Sequence, residues 1–413
     1  MAIASDRESL SRTTSLRYLW QAMFWVSFPF GILSFVLPIY GREIGATALD
    51  VGVFFSALSI VPVIVRPFLG RALDRWGRRP FLLLGLLGYA AAMLIFIIAD
   101  QIWLLTLARF VQGLGQAFLW LSAVTIVADV AAAMGRGRDF GLIDEASNRG
   151  AILGTSLGFS AVLLVQQGGG LDWSQTWPWL FAAYAIPALL ALAIAWKRVP
   201  ETRPPLRHGV IVRQRISRQL LALMGIVMIT GASTSMVWPL LMIFLQDTIG
   251  AKVIELATAY LPAAIISSVL PSRLGHLADH FGRKRLMAGG LLVGAAASVL
   301  IPHLRSLVPL AALWTVESIG YAASAPAERA FVADITGDDA RGTSYGLYTF
   351  AYFLGAAIGP LVGGWLYDRV NPAMPFYLNA VALAVGAVLV WAFLREARPQ
   401  DGQAGGEQGR AAV

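Results

Sequence analysis

The chain has no cysteine among its 413 residues, which excludes disulfides, thiolate metal sites and iron–sulfur clusters. Its four histidines, His208, His276, His280 and His303, fall in or near expected loops and form no ligand cluster. Charge is scarce: 14% of residues are charged, where a soluble domain carries about a quarter. No glycine loop follows a strand to cradle a phosphate. Gly168-Gly169-Gly170 falls in an expected outer loop, which excludes nucleotide-driven work. Residues 1–15 lack the short apolar core and small-residue cleavage site of a removable signal peptide.

What the chain has instead is apolar length. Hydrophobic residues make up 57% of it, with 41 glycines that allow membrane helices to approach closely. Twelve runs of bilayer-crossing length are expected at 17–40, 50–70, 80–99, 102–128, 141–166, 177–197, 219–245, 254–274, 286–302, 307–333, 343–368 and 374–394. This predicts a tail (1–16), a six-helix bundle (17–197), a basic linker (198–218), a second bundle (219–395) and a tail (396–413). With both termini cytoplasmic, inner loops and tails hold 24 of the 32 Lys and Arg, a strong positive-inside bias. The net charge of +8 is therefore read as topogenic, with no nucleic-acid partner.

The halves repeat. Gly70 to Pro80, GRALDRWGRRP, is read as a tight loop and returns 205 residues later as GHLADHFGRKR. Gly70, Asp74, Gly77 and Arg78 map to Gly275, Asp279, Gly282 and Arg283. The same offset takes Asp129 to Asp334, and Gly141, Gly150, Gly154 and Gly158 to Gly346, Gly355, Gly359 and Gly363. Fixed-period similarity of this kind means two like halves about an axis along the membrane normal.

Both loops resemble the GxxxDxxGRR/K signature of the major facilitator superfamily, and twelve spans in two halves is that family's layout. The resemblance implies an all-α fold of two pseudo-symmetric six-helix bundles around a cavity, working by alternating access. It further implies a conformational latch. Asp74 would meet the positive end of a neighbouring helix, and Arg78 would pair with Asp129. The second half repeats this with Asp279, Arg283 and Asp334. Arg109 with Val111-Gln112-Gly113-Leu114-Gly115 is similar to the RxxQGxG motif of proton-coupled bacterial exporters, whose Arg is implicated in coupling. Gln116 lies on the same helix. Those exporters carry GPxxGG on helix 5. Here Gly154-Thr155 and Gly158-Phe159 do not match it, and GxxxGPxxGG appears on helix 11 at Gly355, Gly359, Pro360, Gly363 and Gly364.

Several buried polar residues are candidates for chemistry. An Arg at depth is costly unless it faces the cavity or an acid, which draws attention to Arg109. Glu317 occupies the repeat position of Gln112, with Trp314 and Tyr321 on the same helical face. An acid among aromatics suits a cationic or aromatic substrate and makes protonation a natural switch. Asp144 and Asn148 share one face of helix 5, and Glu145 and Arg149, at i,i+4 spacing, share the next. Glu328 and Arg329 read as a local pair. Trp25, Trp120 and Trp238 are candidates to line the cavity, whereas Trp103, Trp173, Trp177 and Trp179 read as interfacial anchors.

The expected function is secondary transport, with proton-coupled export of a small amphipathic compound, cations included, as the favoured form. Import or facilitated movement of a sugar, organic acid or other metabolite is the alternative. A transporter-like sensor without turnover is the rival from another class. No enzyme chemistry, metal or cofactor is expected beyond protons as the coupling ion. The expected setting is a monomer in the lipid of the cell membrane.

Overall fold

The computed structural model describes residues 15–130, 136–169, 173–202, 217–250, 255–256, 258–263, 265–267, 270, 281–335 and 341–395. The tails, the linker from 203 to 216, and the loop residues Gly275 and Asp279 lie outside these. Among the described residues every regular element is helical. In chain order these are α1 Ser15–Glu43, with a turn at Ser27, then α2 Ala48–Trp76, α3 Arg79–Ile97, α4 Ile102–Val130, α5 Arg136–Gly169 and α6 Trp173–Arg198. The second half holds α7 Arg218–Ile249, an α8 described in short pieces between 255 and 270, α9 Arg283–Leu300, α10 Leu307–Asp334, α11 Arg341–Arg369 and α12 Met374–Phe393.

Nine of these helices are long and apolar enough to cross a bilayer among the described residues. Neither α5 nor α10 is among the nine, although they run for 34 and 28 residues. They carry Asp144, Glu145 and Arg149 on one, and Glu317, Glu328 and Arg329 on the other. Polar groups at such depth persist only where they face a cavity or a partner.

One expectation fails here. The stretch from Gly70 is not a loop, because α2 continues through it to Trp76 and breaks only at Gly77. Between Gly70 and Trp76 there is neither a proline nor a positive-φ residue, so the helix ladder has no reason to stop there. Gly77 has φ +97° and its repeat partner Gly282 φ +86°, a conformation that side chains rarely adopt. Gly168 and Gly169 likewise belong to the end of α5 and not to a loop.

The glycines that repeat at offset 205 set matching helix contacts in each half. A Cβ on Gly150 or Gly154 would strike the carbonyl oxygens of Phe24 and Phe28, so α5 lies directly on α1. A Cβ on Gly355 or Gly359 would strike those of Met228 and Ala232, so α11 lies equally close on α7. Such contacts need residues without side chains.

Among the described residues the two bundles make their closest backbone contacts at one end. We call the end where α1 turns into α2 the far end, and the end where α2 turns into α3 the near end. At the far end a Cβ on Gly52 would sit 2.2 Å from the Pro360 carbonyl oxygen, and one on Gly364 would sit 2.5 Å from that of Ala48. Thus α2 and α11 touch backbone to backbone across the bundle boundary. The Asp368 carboxylate accepts hydrogen bonds from the amides of Ala48 (3.2 Å) and Leu49 (2.8 Å), adding to the capping box of Thr47 and Asp50. A carboxylate at a helix N-terminus is favoured by the helix dipole. Arg42 reaches Asp247 at 3.1 Å, and the Tyr367 hydroxyl donates to the same acid at 2.9 Å.

The apolar packing follows the same division. One core cluster draws on both halves, including Phe35, Tyr40 and Phe96 from the first and Leu240, Phe244 and Phe376 from the second. Toward the near end the core splits into clusters that each stay within one half. One cluster, with Leu19, Leu86, Ile126 and Ala195, belongs wholly to the first half. Another, with Leu223, Met287, Phe331 and Val390, belongs wholly to the second. Among the described residues the bundles therefore share a core toward the far end and keep separate cores toward the near end.

Replacing Gly364 with leucine should force α2 and α11 apart and unseal the far end. Spin labels on cysteines introduced at Glu43 and Asn371, in a chain with no cysteine of its own, should then report a longer distance than in the parent. An unchanged distance distribution would mean that the glycine contact does not hold this end shut.

Candidate functional site

The near-end hinge is built around Arg78, which is 5% exposed. Its Nε donates to Asp129 at 2.9 Å, one Nη to the Leu73 carbonyl at 2.9 Å, and the other lies 3.1 Å from Asp74. A guanidinium fork suits this, since its donors are held in one plane. Glu201, just past α6, accepts from the amides of Arg78 (2.8 Å) and Arg79 (3.1 Å) and caps α3. Gly77 is required there, because a Cβ would lie 2.4 Å from the Glu201 carboxylate. Arg283 pairs with Asp334 and donates to the Ala330 carbonyl at 2.9 Å, repeating the arrangement. Asp74 departs from expectation. It lies in the last turns of α2, exposed, and pairs with Arg78 one turn on instead of meeting another helix. The contact expected of it, a carboxylate on a neighbouring helix N-terminus, is made at the opposite end by Asp368. Gly70 sits on the exposed surface of α2 with open space beside it.

Deeper in the first bundle, Arg109 is 3% exposed and faces neither open cavity nor acid among the described residues. Its Nη1 donates to Gln112 at 2.9 Å, and its guanidinium lies 4.8 Å above the Phe55 ring. Burial against an aromatic face replaces the expected carboxylate. The Nε of Arg109 and the Oε1 of Gln116 are buried without partners. Arg66, on α2, lies 4.4 Å over Phe353 of the other bundle.

The second bundle carries the same positions with different chemistry. At offset 205, Phe55, Arg109 and Gln112 become Tyr260, Trp314 and Glu317. Trp314 is buried and packs edge-on to Tyr260 at 5.6 Å. Half-buried Glu317 and exposed Tyr321 lie within electrostatic reach of the Tyr260 hydroxyl. Glu317 has no hydrogen bond or ion pair among the described residues. Tyr260 also meets Trp238 at 6.0 Å and Phe35 at 5.1 Å, and Phe35 meets Phe159 at 5.6 Å. Residues of α1, α5, α7, α8 and α10 thus form an aromatic roof beneath the far-end seal, with one acid beside it.

On α5, Glu145 and Arg149 form the i,i+4 salt bridge that their spacing predicts, at 2.6 Å. Asp144 and Asn148 are exposed. Asp144 lies within electrostatic reach of Arg329 on α10, across the opening. Glu328 does not pair with Arg329 as expected; it accepts from the Tyr348 hydroxyl of α11 at 2.5 Å. Trp25 packs on Phe24 and Phe28. Trp177, expected as an interfacial anchor, is fully buried, stacks on Tyr40 at 3.9 Å and donates to the Phe96 carbonyl. Trp103 and Trp179 are exposed.

Phe35, Phe159, Tyr260, Glu201 and Asp368 were not singled out in the sequence. A signal existed for Tyr260, which shares the repeat offset with Phe55. Another existed for Arg42 and Asp247, which stand at the same offset and touch.

The sequence model of the Major Facilitator Superfamily matches residues 19–272 and 223–413. The chain belongs to the Major Facilitator Superfamily. Multidrug resistance protein 1 of Bacillus subtilis (strain 168) is 24% identical over 395 residues, covering 94% of this chain and 97% of that protein. Multidrug resistance protein MdtH of Yersinia pestis (strain Pestoides F) is 26% identical over 414 residues, covering 96% and 97%. In fold, the chain is similar to a bacterial homolog of the human lysosomal transporter Spinster, at TM-score 0.71 and 16% identity, covering 92% of this chain and 96% of that one. The chain is thus an all-α, multi-pass membrane transporter of a small molecule.

Arg78→Ala should cost about 1–3 kcal/mol, because Asp129 then keeps only the Thr202 hydroxyl as a partner. Arg78→Lys should recover part of that, lacking the planar fork. Thermal unfolding of the purified variants checks the order, and equal stability of all three proteins would show Arg78 to be ornamental.

Proposed function

We propose that the protein is a secondary exporter that exchanges protons for a small amphipathic cation at Glu317, with its near end in the cytoplasm of the cell's inner membrane. The observation that carries this is the comparison between the two halves. In the first, a protein cation, Arg109, lies over an aromatic ring and bonds a neutral amide. In the second, the equivalent ring (Tyr260) and an acid (Glu317) are present, but tryptophan replaces the cation. The second half therefore holds a cation-accepting wall without its cation. Aromatic faces and a carboxylate shielded from water attract an organic cation strongly. The substrate and a proton compete for one carboxylate, which couples their movements in opposite directions. Lys and Arg concentrate at the near end, in keeping with a cytoplasmic face. On that orientation the arrangement described is inward-facing. The drug-resistance names of two relatives support export.

The test is transport by purified protein in liposomes containing a pH-sensitive dye, under an imposed proton gradient. Lipophilic cations, neutral drugs, sugars and organic acids are added in turn. Lipophilic cations should drive proton flux that Glu317→Gln abolishes. Tyr260→Leu should keep the flux but raise the half-saturating cation concentration about ten-fold, the loss of one desolvated cation–π contact. A substrate that moves without protons would overturn the exchange and leave facilitated transport. Flux through Glu317→Gln would place the coupling acid elsewhere.

A further inference from the structure

Outside the site, a groove of about 420 Å³ opens on the surface of the first bundle between α3 and α6, at the near end. Its walls are Leu83, Leu84, Leu87 and Leu192, with Arg79 and Trp196 at the mouth. Leu84, Leu87 and Trp196 are exposed apolar side chains on a membrane-spanning surface, so they face acyl chains. Arg79 is anchored by an Nη2 donation to the Trp196 carbonyl at 2.6 Å, and its Nε has no partner. Glu201 borders the groove, but its oxygens are turned onto the amides of Arg78 and Arg79.

The second bundle repeats the mouth. Lys284, at offset 205 from Arg79, donates to the Trp391 carbonyl at 2.6 Å and lies 5.0 Å over the Trp391 ring. Leu292, Val388 and Trp391 are exposed below it. There Ala288 and Gly289 stand where Leu83 and Leu84 do, so that surface presents fewer large apolar side chains. An interfacial tryptophan beside a cation, above an apolar trough at one membrane face, fits a lipid with a negative headgroup.

We infer that the α3/α6 groove and the corresponding α9/α12 surface are two repeat-related binding sites for an anionic phospholipid, with Arg79 and Lys284 taking the phosphate and the apolar side chains beside them taking an acyl chain. The cations sit where the bundle surface meets the headgroups. The first groove binds more tightly, because its leucines line more of the chain.

The test is native mass spectrometry of the full chain in detergent, titrated with dioleoylphosphatidylglycerol or dioleoylphosphatidylcholine. The parent should retain two phosphatidylglycerol molecules in preference to phosphatidylcholine. Arg79→Gln and Lys284→Gln, which keep a donor for the tryptophan carbonyl, should each weaken retention at one site about five-fold. The double variant should lose the preference. Inorganic phosphate in excess should displace neither lipid, because the troughs hold the chain. Unchanged melting of each variant in phosphatidylcholine nanodiscs separates lost binding from lost folding. Equal retention of both lipids by the parent, or undiminished phosphatidylglycerol retention by the double variant, overturns the inference.

Discussion

Two helix backbones approach as closely as α2 and α11 only where neither presents a side chain at the contact, and Gly52 and Gly364 provide that place. In lipid, helices gain little from hiding apolar surface, since the surroundings are apolar already. Close packing and satisfied polar groups must hold them instead. At the far end both operate together. The backbones touch, Asp368 caps α2 from the other bundle, and Asp247 gathers Arg42 and Tyr367. A shared core forms beneath this contact, whereas toward the near end the described cores stay within their own halves.

The fold is close to symmetric, but its chemistry is not. Residues related by the repeat can touch only on the axis between the halves, and Arg42 and Asp247 do so with opposite charges. A strictly symmetric pair there would repel. The same divergence appears at depth, where Arg109 and Gln112 face Trp314 and Glu317 as counterparts. The shared backbone fixes the position of each group, and the side chain decides whether the protein supplies the cation or leaves room for one. A transporter gains direction of binding from this difference while keeping two states of similar packing.

Much of the architecture was legible in the sequence because it rests on period and composition. Glycines at a fixed offset mark helix contacts, and they do so for Gly150 and Gly154 as for Gly355 and Gly359. Arg78 and Asp129 could be paired because a family resemblance named them. The extent of α2 was misread, since charge and glycine in GRALDRWGRRP suggest a loop although each residue up to Trp76 tolerates helix. The buried place of Trp177 was not legible, because nothing in a sequence tells a tryptophan that stacks on Tyr40 from one that meets headgroups. The aromatic roof was only half visible. Trp238 and Trp314 stood out, but Phe35 and Phe159 come from distant helices and converge only through packing.

The device expected at the near end, a carboxylate laid on a neighbouring helix N-terminus, is made at the far end by Asp368. Asp74 at the near end is meanwhile exposed and tied only to Arg78 one turn away. A transporter that alternates needs its two ends to close with comparable free energies, or one state would dominate and a ligand could not shift it. One carboxylate–dipole contact is worth on the order of 1 kcal/mol, small enough to break and large enough to bias. Asp368 makes that contact in the arrangement described, and Asp74 carries the same group at the other end, exposed and one turn from Arg78. The two carboxylates are not repeat counterparts, since Asp74 maps to Asp279 and Asp368 to Leu163, so the same device has been placed at the two ends independently of the internal repeat.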